Sequence, residues 1–137
     1  MTTTILTPND WLNIAQSYFD SAAGLGTIIN DNSKDLEVRT DAYRNSVVLI
    51  QYAHDFQHKA LNELNKDITV DVDDLKKATQ KAKDTVKKIN NVKNILQLTG
   101  DLISLAAVIS APNPATLSGL PGILTSIYND VSRFGNS

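Results

Sequence analysis

The sequence predicts an all-α fold, an antiparallel up-and-down bundle of four helices with a long third helix. Three observations predict it. Apolar residues recur three and four apart along nearly the whole chain, the spacing of one helical face. Capping residues stand before the apolar runs. No stretch alternates with period two long enough to read as a strand. The chain has 137 residues, which fits a single domain over 1–137. A chain of that length buries roughly two-thirds of its surface and needs no staples.

The first helix opens at Thr7-Pro8-Asn9-Asp10. Thr7 suits the cap, proline the first helical position, and Asp10 stands three residues after the cap. Trp11, Ile14, Ala15, Tyr18, Ala22, Leu25 and Ile29 then draw one stripe. Gly24 and Gly26 weaken that helix by roughly 1 kcal/mol each relative to Ala, which reads as close packing or a kink. The second helix is expected from Ser33, as cap, to about Asn65. Its stripe reads Leu36, Tyr43, Val47, Ile50, Ala53, Phe56, Ala60 and Leu64. Ile68-Thr69-Val70 reads as a short extended connection.

The third helix is expected from an Asp71 cap to about Ala111. Leu75, Ala78, Ala82, Thr85, Ile89, Val92, Leu96, Thr99, Ile103, Ala106 and Ser110 alternate three and four apart. That is a heptad seam, the pattern of coiled-coil packing. Unbroken, the helix would run roughly 60 Å at 1.5 Å per residue, with Gly100 as the place for a bend. The fourth helix opens at Asn113-Pro114 and continues through Leu117, Leu120, Leu124, Ile127, Val131 and Phe134, with Pro121 free to restart it. Residues 95–134 thus form a long apolar hairpin.

Composition narrows the function. There is no cysteine, so disulfides, thiolate metal sites and thiol nucleophiles are excluded. The formal net charge of −2 argues against a dedicated nucleic-acid binder. The N-terminal residues lack a basic region followed by an apolar core, so cytoplasmic residence is the expectation, with non-classical export open. Asp67, Asp71, Asp73 and Asp74 precede Lys76, Lys77, Lys81, Lys83, Lys87 and Lys88. These charges read either as a solvated helix face complementing the helix dipole, or as a contact for a partner or an anionic membrane. No aromatic residue interleaves the lysines, so nucleobases would find no stacking platform.

His54 and His58 stand four apart in His54-Asp55-Phe56-Gln57-His58 and share a helical face, a spacing that could bind one metal. The segment is similar to the HExxH zinc-protease motif, with Asp55 where glutamate stands. Asp41, Glu63 and Asp20 are candidate third ligands, and the alternative is two partly solvated imidazoles. No serine neighbours a histidine in sequence, so no enzyme and no cofactor are expected.

Residues 102–129 carry no charge, and Pro112-Asn113-Pro114 divides them into two legs. With the second and third helices forming a long polar hairpin, followed by this apolar, proline-tipped one, the chain is similar in layout to α-helical pore-forming toxins. The resemblance implies a membrane-active protein inserting the hairpin from Leu102 to Ile127. The other reading is a buried bundle core. The functional expectation is a non-enzymatic helical interaction module. Its partner would be a second copy of itself or another helical protein. Leu75, Ile89, Val92, Leu96 and Ile103 would form the packing seam with Leu117, Leu124 and Ile127. Membrane activity is the first alternative, and metal binding at His54 and His58 the second.

Overall fold

A computed structural model describes residues 3–135 and is all-helical apart from one minimal strand pair. Residues Ile5–Leu6 (β1) pair antiparallel with Lys66–Asp67 (β2), Ile5 opposite Asp67 and Leu6 opposite Lys66. The sequence shows no sign of this pairing, because two residues are too few to establish a period. The Ile68 amide donates to the Thr4 carbonyl at 2.9 Å and the Val72 amide to the Thr3 carbonyl at 2.8 Å. Ile68 is fully buried, but the connection is not extended throughout, because Thr69 turns at φ 65°.

Helix α1 spans Pro8–Ile29. Its cap forms as the sequence indicates: the Thr7 hydroxyl accepts from the Asp10 amide, and the Asp10 carboxylate accepts from the Thr7 amide at 2.9 Å. Burial disfavours the Asp10 charge, yet the Thr7 donors and the Lys76 ammonium outweigh it and hold this carboxyl below 3.8. Gly24 does serve close packing: a Cβ there would lie 2.8 Å from the Val86 Cγ1.

Helix α2 spans Leu36–Leu61 and starts after Asp35 rather than Ser33, with no side-chain cap bond from Asp35. Ser33 is occupied elsewhere, donating from its amide (3.0 Å) and hydroxyl (2.6 Å) to the Asp31 carboxylate. The helix also ends before Asn65. The Leu64 amide bonds back to the Lys59 carbonyl and the Glu63 amide to the Ala60 carbonyl, each at 3.0 Å. Glu63 sits at φ 53°. Those two bonds around a left-handed residue are a Schellman stop.

The long third helix is two helices. Val72–Lys88 (α3) ends at Ile89, whose ψ of 156° is extended, and Val92–Ser110 (α4) begins after Asn91. The Asn91 side chain accepts from the Asn94 amide at 3.1 Å, so an asparagine cap restarts the chain. Gly100 lies within continuous helix, and the bend is at Ile89–Asn91 instead. One turn at Pro114–Leu117 (α5), held by an Asn113–Thr116 capping box, leads into Leu120–Phe134 (α6). Among the described residues the bundle therefore has five long helices.

The widest packing is α1 on α2; α1 also meets α3, α2 meets α4, and α6 lies against both α3 and α4. Trp11, Ile14, Tyr18, Leu49, Phe56, Leu75, Leu98, Leu102 and Leu105 are fully buried. Phe56 is the hub of the aromatic cluster, its ring 5.5 Å from Trp11 and 5.3 Å edge-on from Tyr18. Trp11 Nε1 donates to the Leu64 carbonyl at 3.1 Å, so it is the core anchor its position suggested. The Tyr18 hydroxyl donates to the Leu102 carbonyl at 2.6 Å and ties α1 to α4.

Candidate interaction surface

Helix α2 carries apolar residues on two faces. Its core side is Ala42, Leu49, Ala53, Phe56 and Ala60. The expected stripe therefore needs correction. Leu36, Tyr43 and Ile50 point outward, with 76%, 60% and 37% of their surface exposed, and Leu64 lies beyond the helix and exposed. The inward side mixes Ala42, Ala53 and Ala60, which let α1 approach closely, with the fully buried Leu49 and Phe56. The displaced large side chains form a second stripe. Leu36, Thr40, Tyr43, Val47, Ile50, His54, Gln57 and Leu61 alternate four and three apart from the first residue of α2 to the last. Leu61 is 82% exposed. A shallow cavity of about 300 Å³ opens on this face, lined by Thr40, Tyr43, Arg44, Val47 and Val48.

The heptad seam expected along the third helix is largely internal. Leu75, Ile89, Leu124 and Ile127 are buried, while Val92, Leu96, Ile103 and Leu117 are half-buried against the core. After the break, α4 turns Ile95, Leu98, Leu102, Leu105 and Ile109 inward instead. By length and composition alone α4 could cross a membrane, a test that a soluble protein's core helix also passes.

The lysines do not form one face. Lys76 reaches Asp10 at 3.0 Å and Lys83 reaches Asp20 at 3.9 Å, both crossing from α3 to α1. The Lys81 ammonium lies 5.4 Å from the Tyr128 ring of α6. Lys77, Lys87 and Lys88 are exposed. The histidines are both exposed on α2. His54 meets the Phe19 ring edge-on at 5.2 Å, and the His58 Nδ1 is 3.4 Å from the Asn62 amide nitrogen. Asp41 pairs with Arg44 and Asp20 with Lys83, so two of the candidate third ligands are engaged elsewhere. Among the described residues no three His, Cys, Asp or Glu side chains converge as a metal would require.

One polar cluster escapes any local reading of the sequence. Asp101 on α4 and Asp130 on α6 face each other where these helices pack. Asp130 is buried and accepts from Arg133 at 3.0 Å and from Gln97 at 3.4 Å. The Asp101 Oδ2 is sealed from solvent and meets no donor. Burial, then the shared hydrogen bond and repulsion with Asp130, push Asp101 from 3.8 up to about 7, with Arg133 opposing. Below about 7 the protonated Asp101 can serve as a donor toward Asp130. The sequence does hold a trace of the pair, since Asp101 and Asp130 bracket the charge-free stretch on either side of its proline turn.

Comparison with protein-family models, with curated proteins and with solved structures gives no match for this chain.

Proposed function

We propose that this protein is a non-enzymatic helical interaction module, an up-and-down bundle that self-associates through the outer face of α2. The observation that carries the reading is the exposed stripe from Leu36 to Leu61. Exposed apolar residues scattered singly are ordinary, but Leu36, Tyr43, Ile50 and Leu61 fall on one side of α2 with half-buried Val47 among them, and that grouping, interrupted by the polar Thr40, His54 and Gln57, supports a contact surface. Its alternation of three and four fits a second helix crossing at a shallow angle. The internal burial of the other heptad seam supports the same choice, because it leaves α2 as the helix with apolar spacing to spare.

The test is solution mass by light scattering. Wild type is expected to assemble, and Leu36→Glu with Tyr43→Glu to give a monomer with unchanged helical circular dichroism. Both side chains are exposed in the single chain, so their loss leaves the fold intact. A wild type that stays monomeric at high micromolar concentration sinks the reading. The membrane-active alternative keeps one supporting observation, the length and apolar composition of α4. Flotation with anionic liposomes separates the two: co-flotation at low and high salt would favour insertion of the region from Leu102 to Ile127.

A further inference from the structure

Resting on that reading, we infer that the occupant of the α2 face is a second copy of the same helix, running antiparallel and in one register. The stripe itself selects the register. Antiparallel coiled coils alternate the two seam positions across each layer. Sliding α2 against its two-fold mate until the layers coincide brings Leu36 opposite Leu61, Thr40 opposite Gln57, Tyr43 opposite His54 and Val47 opposite Ile50. Leucines meet at both ends and branched aliphatics at the centre, while the Thr40–Gln57 and Tyr43–His54 layers each carry hydrogen-bonding groups on both sides. The aligned stripe uses all of α2, from Leu36 to Leu61, and leaves no apolar end uncovered.

Two further observations support this occupant. Thr40, Tyr43, Arg44 and Val47 stand at i, i+3, i+4 and i+7, the four corners of a hole that receives one knob. In this register the partner's His54, level with Tyr43, is the side chain that meets that cavity, and Ile50 lies at its Val47 edge. The flanking charges also fit. Glu37 comes opposite the partner's His58, while Arg44 is matched by Asp41 and Lys59 by Asp55 within each chain. No like charges are forced together at the edge of the stripe. A parallel pairing would instead place Tyr43 on Tyr43 and bring Arg39 to the same edge as the partner's Arg44.

The chain lacks cysteine, so single cysteines carry unique spin labels. Glu37→Cys and His58→Cys lie on exposed positions beside the stripe. Distances are read by pulsed electron resonance, with assembly checked by mass. In the antiparallel register, labels at residue 37 alone are separated by roughly 35 Å along the axis, at 1.5 Å per residue. Mixing the two labelled variants adds a short distance of roughly 10–20 Å between 37 and 58, set by helix spacing plus label length. A short distance from the residue 37 label alone means a parallel pair; it overturns the register and leaves the α2 surface standing. Assembly with no short distance in any sample moves the interface off α2 and overturns both.

Discussion

Asp101 is the residue whose ionisation changes the energy of the fold in the physiological range. Its folded value of about 7 lies above its ordinary 3.8, so the proton is bound more tightly folded than unfolded. The stabilisation is therefore complete below 3.8, falls as pH rises from there, and is lost once pH passes about 7. Asp10, held below 3.8, acts with the opposite sign and below that window. Thermal melts of wild type should thus decline between pH 4 and 7 more than those of Asp101→Asn, which carries a permanent donor toward Asp130. At pH 8 the variant should melt roughly 3–8 °C higher, the shift expected for about 1–2 kcal/mol. Coincident pH profiles for the two proteins would remove Asp101 as the cause. The glycines of α1 make a second contrast at this scale. Gly24→Ala forces a Cβ against Val86 and should cost about 1–3 kcal/mol. Gly26→Ala meets open space and should gain up to about 1 kcal/mol through helix propensity. Chemical denaturation of the pair reads both signs in one experiment.

Among the elements, α1 was legible because its signals are local. Thr7, Pro8 and Asp10 form the cap within four residues of chain, and the structure keeps each role. The break between α3 and α4 was not legible, because Ile89 to Val92 preserves the three-residue spacing across it. Periodicity survives a break whose two sides happen to stay in phase, and only the Asn90-Asn91 pair betrays it. Asn91→Ala removes the α4 cap and should cost about 1 kcal/mol. The face of α2 was misread for a tertiary reason. Two apolar stripes interleave on that helix, and size favours the one led by Leu36 and Tyr43. Contact with α1 favours the one carrying Ala42, Ala53 and Ala60. The stop of α2 also holds a correctable strain, since Glu63 occupies a left-handed conformation that glycine adopts freely. Glu63→Gly should raise the unfolding free energy by a few tenths to about 1 kcal/mol, and an unchanged denaturation midpoint would mean the strain is negligible.

For the whole molecule, the all-helical class followed from period alone, whereas the Asp101–Asp130 cluster and the outward face of α2 arose only from the way helices pair. The same pairing explains why one chain can present an apolar stripe and still fold. Its core is complete without Leu36, Tyr43 or Leu61, so the proposed contact through those residues would leave the fold unchanged. Leu98→Asp, which buries a charge in the fully enclosed α4 face, should abolish folding and assembly together. Leu61→Glu should abolish assembly alone, and circular dichroism with mass measurement distinguishes the two.

The β1–β2 pairing carries a consequence for the order in which the chain is built. Ile5 and Leu6 bond to residues that come after the α1–α2 hairpin in sequence, and Val72, the first residue of α3, bonds to Thr3. The pairing therefore fastens shut the loop that contains both helices. Its closure is a long-range event, favourable once α1 and α2 have docked and shortened the distance between its ends. The amides of Ile68 and Val72 then act as reporters of that hairpin: in native-state hydrogen exchange they should exchange together with the α1–α2 core and later than the last turn of α6. The small sheet works as a clasp, and the first two helices are what it closes around.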